Sequence, residues 1–258
     1  MDMQQIESAT RTAWPALEEV ELEGGMLRYA SGAGRRSNTL VPNVEMPSCP
    51  QKLLRAAEVY YRSKGQPAVV KVLTGANEQP CFSNLDSLLA QEQYQKESPT
   101  AVLALRLRNY FSMESPLLEN NLEISAKEDW VRAWSELREL DPKNKSVHCQ
   151  LVAKMTGEAY CLILKDALGK ACATGMAVAN QGVLGIFGIA TAKEYQGLGL
   201  ATELLSGLLN YGIDRGSEFA YLQVEKDNSP ALALYRKFGF EQLYSYWYRV
   251  KELEVGAP

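Results

Sequence analysis

Gln196-Gly197-Leu198-Gly199-Leu200-Ala201 decides how this chain is read. The stretch follows a run with the character of a strand, Val183 to Ile189, and opens a helical run, Ala201 to Tyr211. A strand, a glycine turn and a helix N-terminus together suit an anion. The first-turn N–H groups of a helix have no intrahelical acceptor, and the helix dipole adds partial positive charge there. Gly197 and Gly199 permit positive φ and a close approach of backbone to ligand. A Gly-x-Gly turn alone has a bland alternative, because glycine also serves simply to bend the chain between strand and helix.

A second block follows about thirty residues on, Asn228-Ser229-Pro230-Ala231-Leu232-Ala233-Leu234-Tyr235-Arg236-Lys237-Phe238-Gly239-Phe240. Ser229 suits a helix N-cap, Pro230 the first helical position and Gly239 the left-handed residue that ends the helix. Between the blocks, Phe219 to Glu225 reads as a strand. The order is strand, glycine turn, helix, strand, Asn-Ser-Pro, then a helix ending in Gly-Phe.

That order and those residues resemble the GNAT superfamily of acetyl-CoA-dependent N-acetyltransferases. The later block of that family reads Asn-x-x-Ala-x-x-Leu-Tyr-x-x-x-Gly-Phe. Asn228, Ala231, Leu234, Tyr235, Gly239 and Phe240 match each named position. The resemblance implies that backbone amides from Gln196 through Gly197, Leu198, Gly199 and Leu200 to Ala201 hold the pyrophosphate of acetyl-CoA, with Thr202 also at the cosubstrate. It implies that Ile189, Ala190 and Thr191 pair with the pantetheine arm, where adjacent parallel strands splay to admit it. It also implies that Tyr235 is the general acid, its phenol facing the sulfur, and that Asn228 contacts the cosubstrate. As a turn residue Asn228 is equally well explained, and Tyr235 has the alternative of a core tyrosine. Many members of the superfamily carry a glutamate base on the fourth or fifth strand. Val183 to Ile189 has no carboxylate, which leaves Glu225 and Glu194 as candidates and an ordinary exposed charge as the alternative for each. Water and backbone carbonyls would also suffice.

From residue 119 the remaining elements fall into the same order. Leu122–Ser125 reads as a strand, and Ser125 with Glu128 as a capping box for a helix to about Leu140. Trp130, Trp134 and Leu137 form its apolar face. A shorter helix is expected over 147–155, strands over 159–164 and 171–178, and closing strands over 242–250. Ala171 to Ala192 carries no charge, but Ala179-Asn180-Gln181-Gly182 breaks it into two buried strands and not a bilayer helix.

The first 118 residues look like a weak echo of the same unit. Strands are expected over 28–30, 38–41, 68–73 and 101–108, with helices over 51–64 and 84–91. Ala13-Trp14-Pro15-Ala16-Leu17 with Gly32, Arg35, Arg36 and Asn38 is similar to bacterial GNAT proteins with a degenerate N-terminal lobe. Where a pyrophosphate loop would lie, Pro42 to Pro50 has no glycine and three prolines, none with an N–H to offer. The expected fold class is therefore α/β, a mixed sheet with splayed central parallel strands, in two parts. Residues 1–118 form a degenerate lobe and 119–258 the acetyl-CoA-binding catalytic domain, joined within 109–121.

Bulk properties narrow the function. The chain has 258 residues, 46% hydrophobic and 22% charged, and a net charge of −4, with no basic half to hold nucleic acid. Five cysteines without CxxC spacing and a single histidine, His148, give no disulfide framework and no metal site. The N-terminus shows no secretory signal, so a cytoplasmic location is expected. The acceptor is expected to be a primary amine of a small molecule or peptide, and the chain a monomer or homodimer. The alternative is a non-catalytic module that senses acyl-CoA.

Overall fold

The computed structural model describes residues 2–43, 50–75, 83–110 and 122–254. They form two compact units that interleave along the chain. Unit 1 comprises residues 1–15, 103–224 and 228–241, and unit 2 comprises 16–102, 225–227 and 242–258. The join expected within 109–121 and the proline-rich loop at 44–49 lie outside the described residues for all or most of their length.

Unit 1 begins with α1 (Met3–Ala13) and continues with β6 (Leu122–Ser125), α4 (Lys127–Leu137), α5 (Pro142–Ala153), β7 (Glu158–Lys165), β8 (Ala171–Asn180), β9 (Val183–Thr191), α6 (Leu200–Asp214), β10 (Phe219–Glu225) and α7 (Ser229–Lys237). Strands β6 to β9 form an antiparallel meander, and β9 pairs parallel with β10. The parallel pair needs a crossover, and α6 supplies it. Its Leu204, Leu205, Leu208 and Leu209 are fully buried, the spacing that turns one helical face to a sheet. The charge-free stretch Ala171 to Ala192 is β8 and β9, as the turn at 179–182 requires.

Unit 2 holds β1 (Glu18–Leu22), β2 (Gly25–Tyr29), β3 (Thr39–Pro42), α2 (Pro50–Ser63), β4 (Ala68–Thr74), α3 (Ser83–Gln91), most of β5 (Gln95–Arg106) and nearly all of β11 (Glu241–Lys251). Its first three strands are again antiparallel, β3 runs parallel to β4, and α2 is the crossover. Leu53, Leu54, Ala57 and Tyr61 of α2 share a core with Val70 and Val72 of β4. The closing segment is one strand, not several. β11 pairs antiparallel with β4 from Ser245↔Thr74 to Lys251↔Ala68. Asp86 of α3 fastens it, accepting from Trp247 Nε1 at 3.0 Å and from Arg249 at 2.8 and 3.0 Å. Those bonds hold the Asp86 carboxyl below the usual carboxylate range in spite of its partial burial.

Local chemistry sets several boundaries differently from the sequence reading. Ser125 stays in β6 and Ala126 caps α4 with no side-chain bond, so the expected capping box does not form. Asp141 caps α5, its carboxylate accepting from Asn144 N at 3.0 Å, with Pro142 in the first turn. The Asp-Pro pair therefore starts a helix as well as ending the preceding one. α1 and β1 had no counterpart in the sequence reading. α1 carries its own capping box, Asp2 and Gln5 bonding reciprocally at 2.9 Å, and buries Ile6, Thr10 and Ala13 within unit 1.

An aromatic cluster ties α1, α4, α5 and β9 together. Trp14 stacks on Phe187 with centroids 5.7 Å apart and lies 6.0 Å from both Trp134 and His148. Trp130 and Trp134 stack over Gly188. Gly188 has φ +58, and a Cβ there would overlap Trp130 Cζ2 and stand 2.6 Å from its Cη2. Opposite it, β9 holds one residue more than β8 between Phe187↔Met176 and Ala190↔Thr174, a β-bulge.

Gly188→Ala combines strained φ with overpacking. We expect it to lower stability by about 3 kcal/mol, read as a shifted urea midpoint. His148 is 7% exposed and its Nδ1 has no partner. Burial lowers its pKa from 6.5. The unfolded chain then binds the proton more readily, so stability holds above about pH 6.5 and falls as pH drops through that value, by at most about 1.4 kcal/mol per pH unit. His148→Asn should flatten that part of the profile of unfolding free energy against pH.

Candidate acetyl-transfer site

The parallel ladder between β9 and β10 runs from Phe219↔Val183 to Leu222↔Ile186 and stops there. Both strands continue past that point, β9 to Thr191 and β10 to Glu225. The strands part where the bulge bends β9. Beyond Thr191 the chain turns through a short 3₁₀ segment, Lys193–Tyr195, into Gln196 and the glycines.

Gly197 has φ +78 and Gly199 φ +84, and a Cβ at either would meet nothing within 4 Å. Backbone conformation, not crowding, therefore requires glycine, and the space beside the turn is open. Gly199 caps α6 without a side chain. The first amide to find a carbonyl is that of Thr202, bonding Gly199 O at 2.9 Å. Among the described residues none of the five amides from Gly197 to Ala201 has an acceptor. Five free donors at a helix N-terminus make a seat for a phosphate. Leu198 is 59% exposed, its side chain turned away from the core.

A cleft of 540 Å³ lies alongside, lined by Ile189, Ala190, Thr191, Ala192, Lys193, Glu194, Gln196 and Asn228. Its other wall comes from the end of α4 and the turn beyond, Ala133, Glu136, Leu137, Arg138 and Glu139, with Lys170 and Ala171 at the start of β8. The structure thus brings together six residues named from sequence: Ile189, Ala190, Thr191, Glu194, Gln196 and Asn228. Asn228, and not Ser229, caps α7, its Oδ1 accepting from Ala231 N at 3.2 Å.

Tyr235 is 8% exposed on α7, 6.0 Å from the ring of Phe240, and is not among the residues that line the cleft. Burial raises its pKa to about 12, so the phenol keeps its proton at any physiological pH. Glu194 is exposed and paired with Lys170 at 3.1 Å. Its backbone amide and Lys170 hold its carboxyl below the usual range, which makes it a weak proton acceptor. Glu225 is exposed at the end of β10 and belongs to unit 2. Among the described residues no group of His, Cys, Asp and Glu could hold a metal ion, and no helix is long and apolar enough to cross a membrane. The α4 wall escaped the sequence reading. Leu137 was grouped with Trp130 and Trp134 as one apolar face, yet it lines the cleft while both tryptophans lie over Gly188. A stretch of glutamates and an arginine after a tryptophan face was the available signal.

A strand-parting mixed sheet with a free-amide glycine turn at a helix N-terminus defines an acetyltransferase of the GNAT type. The chain belongs to the family described as "Probable histone acetyltransferase Rv0428c C-terminal", which matches residues 1–249. It is 25% identical over 254 residues to "Uncharacterized N-acetyltransferase YobR" of Bacillus subtilis (strain 168), covering 97% of this chain and 99% of that one. In fold it is similar to a GCN5-related N-acetyltransferase from Kribbella flavida, with TM-score 0.69, 15% identity and coverage of 97% and 96%. It is also similar to a tandem GNAT protein from the clavulanic acid biosynthesis pathway, with TM-score 0.67, 14% identity and coverage of 98% and 88%. The mixed sheet and its parting parallel strands agree with the fold expected from sequence.

Asn228→Ala removes the α7 cap. We expect a loss of about 1 kcal/mol in thermal unfolding, without loss of the fold.

Proposed function

We propose that the chain moves an acetyl group from acetyl-CoA to a primary amine of a small molecule or peptide. One observation carries the reading. β9 leaves β10 after Ile186↔Leu222 and runs directly into the turn whose amides from Gly197 to Ala201 are unsatisfied. A long ligand with an anionic end and a hydrogen-bonding arm fits that combination, and the pyrophosphate and pantetheine of CoA have that form. The machinery is assigned to residues 119–258 together with α1. The unpatterned cysteines are consistent with a reducing, cytoplasmic setting.

In this reading, the amides of Gly197 to Ala201 fix the pyrophosphate, those of Gln196 and Thr202 being taken by Lys193 O and Gly199 O, and Ile189 to Thr191 present main-chain groups to the arm. Acetyl-CoA supplies the thioester. The amine nitrogen, its ammonium proton having gone to water, would form the C–N bond as the C–S bond breaks. The second proton it sheds would pass through water to the departing thiolate, leaving the amide and the CoA thiol. Tyr235 donates a hydrogen bond to the departing sulfur. With a pKa of about 12 its phenol is a poor donor of a whole proton to a thiolate. Stabilisation of the leaving sulfur is therefore the larger part of its role, and positioning the larger part of the rate gain. The absence of a carboxylate from Val183–Thr191 favours a second reading, a non-catalytic acyl-CoA sensor.

Calorimetric titration of acetyl-CoA, CoA and NAD, combined with a thiol-release assay over a panel of primary amines, separates the two. We expect one acetyl-CoA site per chain, lost in Gly199→Glu. We expect Tyr235→Phe to lower kcat about tenfold or more while the acetyl-CoA Kd stays within about twofold. Binding without release to any amine would establish the sensor, and preference for NAD would overturn both readings.

A further inference from the structure

Resting on that reading, we propose that a clasp between Asp166 of the β7–β8 hairpin and Tyr195 holds the glycine turn in its binding form. The clasp thereby sets the affinity for the CoA pyrophosphate. The turn needs such a hold, because none of residues 193–199 is buried: Tyr195 is half-buried and the rest are exposed. Two of the seven are glycines at positive φ, the residue type that loses most freedom on ordering. Its amides from Gly197 to Ala201 must nevertheless converge on one ligand, and any ordering left until binding subtracts from affinity. Among the described residues the side chains of 193–199 make two polar contacts, and both go to the hairpin tip. Tyr195 Oη donates to Asp166 Oδ2 at 2.8 Å. Lys170 Nζ pairs with Glu194 at 3.1 Å, but both ends are more than half exposed, so that pair contributes little.

Asp166 is built for this task. Its Oδ1 accepts from Leu168 N and Lys170 N, both at 2.9 Å, which with Gly169 at φ +79 closes the turn between β7 and β8. Such a turn uses one carboxylate oxygen for its own backbone. The second oxygen is spare, and Tyr195 takes it. These bonds hold the Asp166 carboxyl below the usual carboxylate range, so it stays an ionised acceptor. The hairpin is anchored in turn by the sheet, β7 and β8 pairing from Glu158↔Ala179 to Lys165↔Ala171. At the root of the turn the main chain adds one tether, Ala192 N donating to Cys172 O at 2.9 Å. The rigidity of the sheet thus reaches the chain two residues before Gly197. Tyr195 and Asp166 are positioning residues. Neither lines the cleft, and each acts through the amides of Gly197 to Ala201.

The test measures calorimetric Kd for acetyl-CoA, thiol release with spermidine, L-lysine and glucosamine as acceptors, and the urea midpoint of unfolding. Tyr195→Phe keeps the ring and the hairpin's own bonds and removes only the hydroxyl. It should weaken acetyl-CoA binding about fivefold, raise KM for acetyl-CoA to match and leave kcat at saturation within about twofold. Its urea midpoint should stay at the wild-type value. Asp166→Asn should weaken binding similarly, and the double variant should be no weaker than the worse single one, as for two ends of one bond. Unchanged Kd in Tyr195→Phe overturns the proposal. Losses that add in the double variant overturn it by showing two independent effects. A fall in kcat at saturation, or a loss of affinity that comes with a lowered urea midpoint, overturns it by showing general damage to the fold. If none of the acceptors is turned over, the Kd and midpoint arms decide. A wild-type chain that binds no acetyl-CoA fails the underlying reading instead.

Discussion

The parting of β9 from β10 is the constraint on which the rest of unit 1 depends. Parallel strands in a buried sheet normally pair along their shared length, since an unpaired backbone amide away from water is costly. Here the ladder ends at Ile186↔Leu222 while both strands continue. The cause is visible one residue later. The extra residue in β9 opposite Gly175 bends the strand, and Gly188 in left-handed conformation leaves room for Trp130 and Trp134 to press against its backbone. The tryptophans hold the bulge, and the bulge holds the strands apart.

A strand end and a run of unsatisfied amides result, close together in the chain. The strand end Ile189–Thr191 lines the cleft, and the amides of Gly197–Ala201 follow after a single 3₁₀ turn. Placing them side by side costs the fold little, because the cleft is open and half of its charged residues are answered locally. Lys170 meets Glu194, and Lys145 of α5 meets Glu136. Exposed pairs of this kind add little stability. Their effect is to keep the rim mixed in sign, so the glycine turn remains the strongest local feature for an anion.

The parts of this design that are local in sequence were legible there. Positive φ at Gly197 and Gly199 and the Gly239 stop each depend on residues within a turn of one another, and composition at a few positions reveals them. The α7 cap, expected at Ser229, is held one residue earlier by Asn228. Side-chain alternation was less legible. Leu137 reads as one more apolar residue of the tryptophan face, yet it lines the cleft while Trp130 and Trp134 lie over Gly188. Long-range placement was not legible at all. The last strand, β11, pairs with β4, and the first helix packs with β9 through Trp14 and Phe187. No period or cap encodes such a partner, because the energy comes from burial and ladder bonds that form only once the chain has returned. The capping box expected at Ser125 failed for a related reason. The residue was already committed to the β6 ladder with Cys161, and Ala126 took the cap.

The electrostatics argue for how such a site would work. The Tyr235 phenol keeps its proton to about pH 12, Glu194 on the rim is tied to a lysine, and β9 brings no carboxylate at all. None of these groups is poised near neutrality, the condition under which general acid–base catalysis is most effective. What the fold does supply is fixed geometry: an anion seat, a strand end that lines the cleft and an aromatic cluster packed against the bulge before it. Acyl transfer between a thioester and an amine is already favourable, and its barrier responds strongly to placement and to dipoles aimed at the developing charge. A site of this kind gains rate chiefly through the rigidity of its scaffold, and the residues that set that rigidity, Gly188 and the tryptophans above it, lie outside both sequence motifs by which the fold is recognised.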